Sequence, residues 1–143
     1  MKHAISVALC LSAIISGSAL AAGKVTVYKS PTCGCCGKWV EHMQANGFEV
    51  ESRNMHDLRM IKSMNGIAPS QQSCHTAIVD GYVVEGHVPA TDVKRLLAQR
   101  PDIRGLAVPG MPMGSPGMEG PRKDAYQVIT LPRQGASEVF AQY

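Results

Sequence analysis

Three cysteines stand within four positions in the stretch PTCGCCGKW, residues 31–39. Cys33 and Cys36 alone make the C-x-x-C of a thiol–disulfide exchanger, in which one thiolate attacks and the other resolves. Cys35 does not fit that scheme, because a dithiol switch needs two sulfurs and this stretch offers three. A fourth, Cys74, lies in SCHT, residues 73–76. Structural disulfides suit the spacing poorly, since Cys35 and Cys36 are neighbours and three crowded cysteines would share one distant partner. The alternative is a soft-metal site, because thiolates select Cu(I), zinc or iron–sulfur clusters. Zinc competes for four cysteines, but its structural sites pair two separate C-x-x-C knuckles. The crowding of Cys33, Cys35 and Cys36 fits thiolates that bridge several Cu(I) ions better, and iron–sulfur spacings are absent.

A second set of sulfurs lies further on. VPGMPMGSPGMEG, residues 108–120, places Met111, Met113 and Met118 in a stretch too rich in Pro and Gly for helix or strand. Thioether sulfur favours Cu(I) over harder ions. Methionine also plugs adaptable apolar surfaces, and the sequence leaves both roles open.

The elements that must position these sulfurs are legible from periodicity. Residues 24–30 alternate Val25 and Val27 with polar neighbours, the pattern of a strand. After Pro31, Cys36, Trp39, Val40 and Met43 recur at helical steps, and Gly47 stops the helix. Cys35 and Cys36 therefore fall in a first helical turn, where the helix dipole favours thiolate. Residues 48–55 form a second alternating strand. Asp57 is placed to cap a short helix that closes at Asn65-Gly66. TAIVDGYVVEG is a hairpin turning at Asp80-Gly81. Thr91 or Asp92 opens a last amphipathic helix that stops at Pro101. AYQVITL and EVFAQY read as a C-terminal hairpin.

The resulting order, β-α-β-α-β-β-α, with cysteines between the first strand and first helix, resembles the thioredoxin-like α/β fold over residues 24–100. That topology implies a spatial convergence: Cys74 and the EGHVP stretch bearing His87 arrive beside the cysteine loop. The cis-proline usual before the third strand of thioredoxins is replaced here by Cys74 and His75, which counts against ordinary dithiol exchange.

Residues 1–22 read as a secretory signal peptide, with Lys2 at the positive start, an apolar run over residues 4–15 and a small-x-small pattern at residues 19–21. The apolar run is short for a membrane span of ~20 residues. Cys10 leaves with it. Residues 23–143 then make a single metal-binding domain, of which about 101–143 form a C-terminal extension with no membrane span. The formal charge of +3 is scattered along the chain, and aromatics are limited to one Trp, four Tyr and two Phe. Neither a basic stripe nor stacking residues mark a nucleic-acid partner.

CGCCGKW, SCHTAIVDGYVVEGHVPA and GLAVPGMPMGSPGME together resemble the exported CopG-type copper-resistance family. The resemblance implies a periplasmic, thioredoxin-like protein with a multinuclear, cysteine-bridged copper site. It also implies a role in copper tolerance beside an efflux system or copper carrier, with interconversion of Cu(I) and Cu(II). The family's cysteines match Cys33, Cys35, Cys36 and Cys74. His87 and the methionine stretch match motif for motif. A periplasmic thiol–disulfide oxidoreductase using Cys33 and Cys36, and a passive copper carrier, remain as rival readings, so enzymatic activity stays open and no catalytic residue is assigned.

The remaining candidates are read individually. Trp39, one turn beyond the cysteines, is core that seals the base of the site. His42, about 10 Å along the helix from Cys35, is a surface histidine, and His56 is solvated. Met43, Met60 and Met64 are core. Cys74 and His75 as strand neighbours should face opposite ways, leaving one of them in the site. Glu85 is placed to orient the His87 ring.

Overall fold

The computed structural model describes residues 23–143. The signal peptide expected at residues 1–22 lies outside the described residues. The chain runs β1 (Lys24–Lys29), α1 (Gly34–Ala45), β2 (Glu49–Asn54), α2 (Arg59–Met64), a 3₁₀ turn (Pro69–Gln71), β3 (Thr76–Val79) and β4 (Tyr82–Glu85). It continues through α3 (Ala90–Gln99), β5 (Ile103–Ala107), β6 (Gln127–Pro132) and β7 (Val139–Gln142). The seven strands form one mixed sheet in the order β2-β1-β3-β4-β5-β6-β7. β1 pairs parallel with β2 and β4 parallel with β5, while the other pairs are antiparallel.

Alternation along the strands builds two layers of packing. Val25, Val27, Ala77, Val79, Val84, Leu106 and Val128 meet Trp39 and Met43 of α1 and Val93 and Leu96 of α3. On the other face Val83, Ala107 and Leu131 pack with Ile67, just beyond α2. α1 and α3 therefore share one side of the sheet, with α2 on the other.

The expected order of elements is present, and the C-terminal hairpin is β6–β7. The β3–β4 turn has Asp80 at φ 47° and Gly81 at φ 83°, the paired left-handed geometry of a type I′ turn. Three expectations need correction. β5 was not anticipated in the C-terminal extension; it joins the hairpin to β4 and so extends one sheet. α2 begins at Arg59 after Leu58, and Asp57 instead accepts the Arg59 N–H at 2.9 Å without capping the helix in the usual position. Met43 is core, but Met60 and Met64 are 71% and 75% exposed.

Candidate metal centre

Cys33 is the N-cap of α1, and its Sγ accepts the N–H of Cys36 at 3.4 Å. The helix thus starts inside the cysteine motif, with Cys35 and Cys36 in its first turn. The loop before β3 brings in Cys74. Its Sγ lies 3.4 Å from Cys36 Sγ and 4.0 Å from Cys35 Sγ, and Cys35 Sγ lies 3.4 Å from Cys33 Sγ. All four sulfurs fall within 4.8 Å of one another. Cys33 and Cys36 are joined as a disulfide, while Cys35 and Cys74 are free.

Cys74 also belongs to a second group with His75 and His87. His87 Nε2 lies 3.0 Å from Cys74 Sγ, and its Nδ1 donates to the Pro116 carbonyl at 2.7 Å. A carbonyl accepts only, so this contact puts the proton on Nδ1 and leaves the Nε2 lone pair facing the sulfur. That is the tautomer a ligating histidine requires. His75 Nδ1 lies 3.3 Å from the same sulfur. The expectation that only one of Cys74 and His75 faces the site is wrong. Both precede β3, which starts at Thr76, so strand alternation does not govern them.

His75 is sandwiched in the core, 4.5 Å from the Trp39 ring centroid and edge-on to His87 at 5.1 Å. Its Nε2 is buried with no hydrogen-bond partner among the described residues. Trp39, buried as expected, is fixed by its indole N–H donating to Val88 O at 2.9 Å.

Glu85 does not orient His87. Its carboxylate accepts from Lys62 Nζ at 2.5 Å, Thr76 Oγ1 at 2.6 Å and the Ser73 N–H at 2.7 Å. Lys62 and Glu85 are both buried, and the Ser73 bond anchors the residue preceding Cys74. Sequence reasoning missed this support, because a helical lysine ordinarily reads as solvated. His42 needs a similar correction. It is half-buried, and its Nε2 accepts the N–H of Ala90 at 3.0 Å, satisfying the first donor of α3 where Pro89 provides no side-chain cap. His56 is exposed, as expected.

The methionine stretch closes over α1 through its backbone. Gly117 has φ +87°, and a Cβ there would come within 2.7 Å of Cys35 O and 2.9 Å of Trp39 N. Only glycine permits this approach. Where the stretch begins, Gly110 N donates to Gln72 O at 3.0 Å, and Ser73 Oγ donates to Gly110 O. The stretch thus grips both the Cys35 and the Cys74 segments. Met111 is 52% exposed, Met113 and Met118 are half-buried, and the Met113 methyl lies against Gly120.

Electrostatics define what the sulfurs need. Burial, reinforced by Cys35, pushes the Cys74 thiol up to about 12. Gathering thiolates here therefore requires a positive charge among them. Thiolates and an unprotonated Nε2 fit a soft or borderline metal cation such as copper or zinc.

Burial also lowers the pKa of His75, His87 and His42, that of His75 well below the ordinary imidazole value. The sign follows from linkage: the unfolded chain takes up protons below about 6.5 that the folded chain refuses. Stability from these histidines is present above that pH and lost as pH falls through their lowered folded values. Glu85 has the opposite sign, since burial raises its pKa, and one carboxylate faces three imidazoles. The apoprotein should therefore melt at progressively lower temperature from pH 7 to pH 5, with a limiting slope of about 1.4 kcal/mol per pH unit per histidine. Calorimetry of His75→Gln and His87→Gln variants should show a flatter profile; an unchanged profile would contradict the assignment.

Comparison with known proteins decides the family. A solved structure named "Copper resistance protein copG- Form 2" is 49% identical, with a TM-score of 0.80, covering 85% of this chain and 98% of its own. The chain belongs to the CopG copper-resistance family. A second CopG structure, named as Form 1, is 50% identical with a TM-score of 0.79, covering 84% of this chain and 96% of its own. A family model described as a protein of unknown function, DUF411, matches residues 71–118. That segment spans Cys74, His75, His87 and the three methionines. No curated protein matches the chain. Among the described residues, no helix is long and apolar enough to cross a membrane.

Proposed function

We propose that this CopG-family chain is a periplasmic copper-resistance protein that takes up more than one Cu(I) ion on Cys33, Cys35, Cys36 and Cys74, with His87 Nε2 beside them. The observation that carries the reading is the convergence of four sulfurs within 4.8 Å, next to a nitrogen whose proton is held on its far side. Copper supplies a one-electron couple between Cu(I) and Cu(II). The protein's part is to choose the ions, exclude water and hold the donors. Trp39 and His75 close the base, and Pro116-Gly117 covers the helix start. The stretch carrying Met111, Met113 and Met118 provides a lid, at least one of whose thioethers stabilises Cu(I) without trapping it. Export behind residues 1–22 places this site where copper is passed to an efflux system or carrier. Anaerobic reduction followed by metal analysis tests the assignment: more than one copper per chain is expected, and a single zinc per chain would overturn it.

One observation favours a second reading. The Cys33–Cys36 disulfide is the oxidised form of a C-x-x-C exchanger. However, each of its sulfurs has a further sulfur at 3.4 Å, Cys35 beside Cys33 and Cys74 beside Cys36. These neighbours can intercept a mixed disulfide before it resolves outward. Insulin reduction by the metal-free protein should therefore be slow. Turnover like that of a dedicated thioredoxin, surviving Cys35→Ser, would make thiol exchange the main activity.

A further inference from the structure

α2 is built inside out. Its buried residue is Lys62, while Met60 and Met64 are 71% and 75% exposed. Helical geometry explains the pairing: residues four apart share a face, whereas Lys62, two from each, lies on the opposite side. The lysine is held inward by Glu85 and by Thr76 Oγ1 at 3.2 Å. Turning Lys62 in turns both methionines out together. An ordinary amphipathic helix would bury the thioethers and solvate the ammonium, so the orientation loses apolar burial and presents two sulfurs to solvent.

Resting on the copper reading above, we propose that Met60 and Met64 form a separate, outward-facing Cu(I) site on α2, distinct from the cysteine centre. Cβ atoms at this spacing lie about 5–6 Å apart, and two long, flexible side chains can bring both sulfurs onto one ion. Neutral thioethers bind Cu(I) without a charge to neutralise, so the site is weak and exchangeable. The site stands apart from the cysteines, since α2 and α1 lie on opposite faces of the sheet. The Lys62–Glu85 pair ties α2 to the Ser73 N–H, next to Cys74. The rival role for the same face is an apolar contact with another protein, and leucine separates the two, since it keeps apolar area and removes sulfur.

The test is an anaerobic Cu(I) titration of the reduced protein carrying ¹³C-methyl methionine. Thiolate-to-copper absorbance reports the cysteine centre, and methyl resonances report each methionine separately. After the absorbance saturates, the Met60 and Met64 methyls should shift together over one further equivalent bound about tenfold or more weakly. Met60→Leu/Met64→Leu should abolish that phase and leave the absorbance phase and the melting temperature unchanged. Shifts confined to Met111, Met113 or Met118, or a weak phase that persists in the double variant, would overturn the α2 site while leaving the cysteine centre standing. Loss of the absorbance phase in the wild type would instead refute the copper reading itself.

Discussion

Glu85→Ala should destabilise the apoprotein by about 3–5 kcal/mol, the usual cost of stranding one member of a buried ion pair. Removing the carboxylate leaves Lys62 Nζ buried with Thr76 Oγ1 as its one remaining partner among the described residues, and strips the acceptor from the Ser73 N–H. Against a typical total of about 5–15 kcal/mol for a single domain, this is a large fraction. Urea unfolding at neutral pH measures it. The double variant Lys62→Met/Glu85→Gln should recover much of the loss, because no charge is then stranded. A fall below about 1 kcal/mol in Glu85→Ala would mean the pair is solvated and does not hold the Cys74 segment.

The second large effect concerns copper loading. If the sulfurs bridge copper ions as proposed, each of Cys33→Ser, Cys35→Ser, Cys36→Ser and Cys74→Ser should lose more than one copper equivalent from the reduced protein. The sulfur separations of 3.4–4.0 Å make all four neighbours in one chain of contacts. Independent sites would instead lose ions one at a time. Full loading in Cys35→Ser, with losses confined to the C-x-x-C pair, would remove the shared-thiolate assignment.

What was legible in the sequence was whatever local chemistry or connection order determines. Asp80-Gly81 specifies its own turn, and the β-α junction followed by the β3–β4 hairpin forces Cys74 and His87 toward Cys33, Cys35 and Cys36. The missed features depend on partners distant in the chain. β5 is five residues long, interrupted by Gly105, and becomes a strand by lying between β4 and β6. Lys62 is turned inward by Glu85, 23 residues away, and that single ion pair reverses the expected facing of Met60 and Met64. His75 was misjudged by one residue of strand boundary. His42 was assigned to the surface because nothing near it in sequence shows that Ala90 needs an acceptor.

The Cys33–Cys36 disulfide has a practical consequence under the copper reading. Sulfurs joined to each other cannot also serve as thiolate ligands, so oxidation and loading compete for the same atoms. A pair of electrons must reach each chain before its full complement of donors exists. Copper content after aerobic lysis would then report the oxidation history of the sample as much as its affinity. In a cell, oxidant and copper would then oppose each other, each limiting the other's access to the same sulfurs.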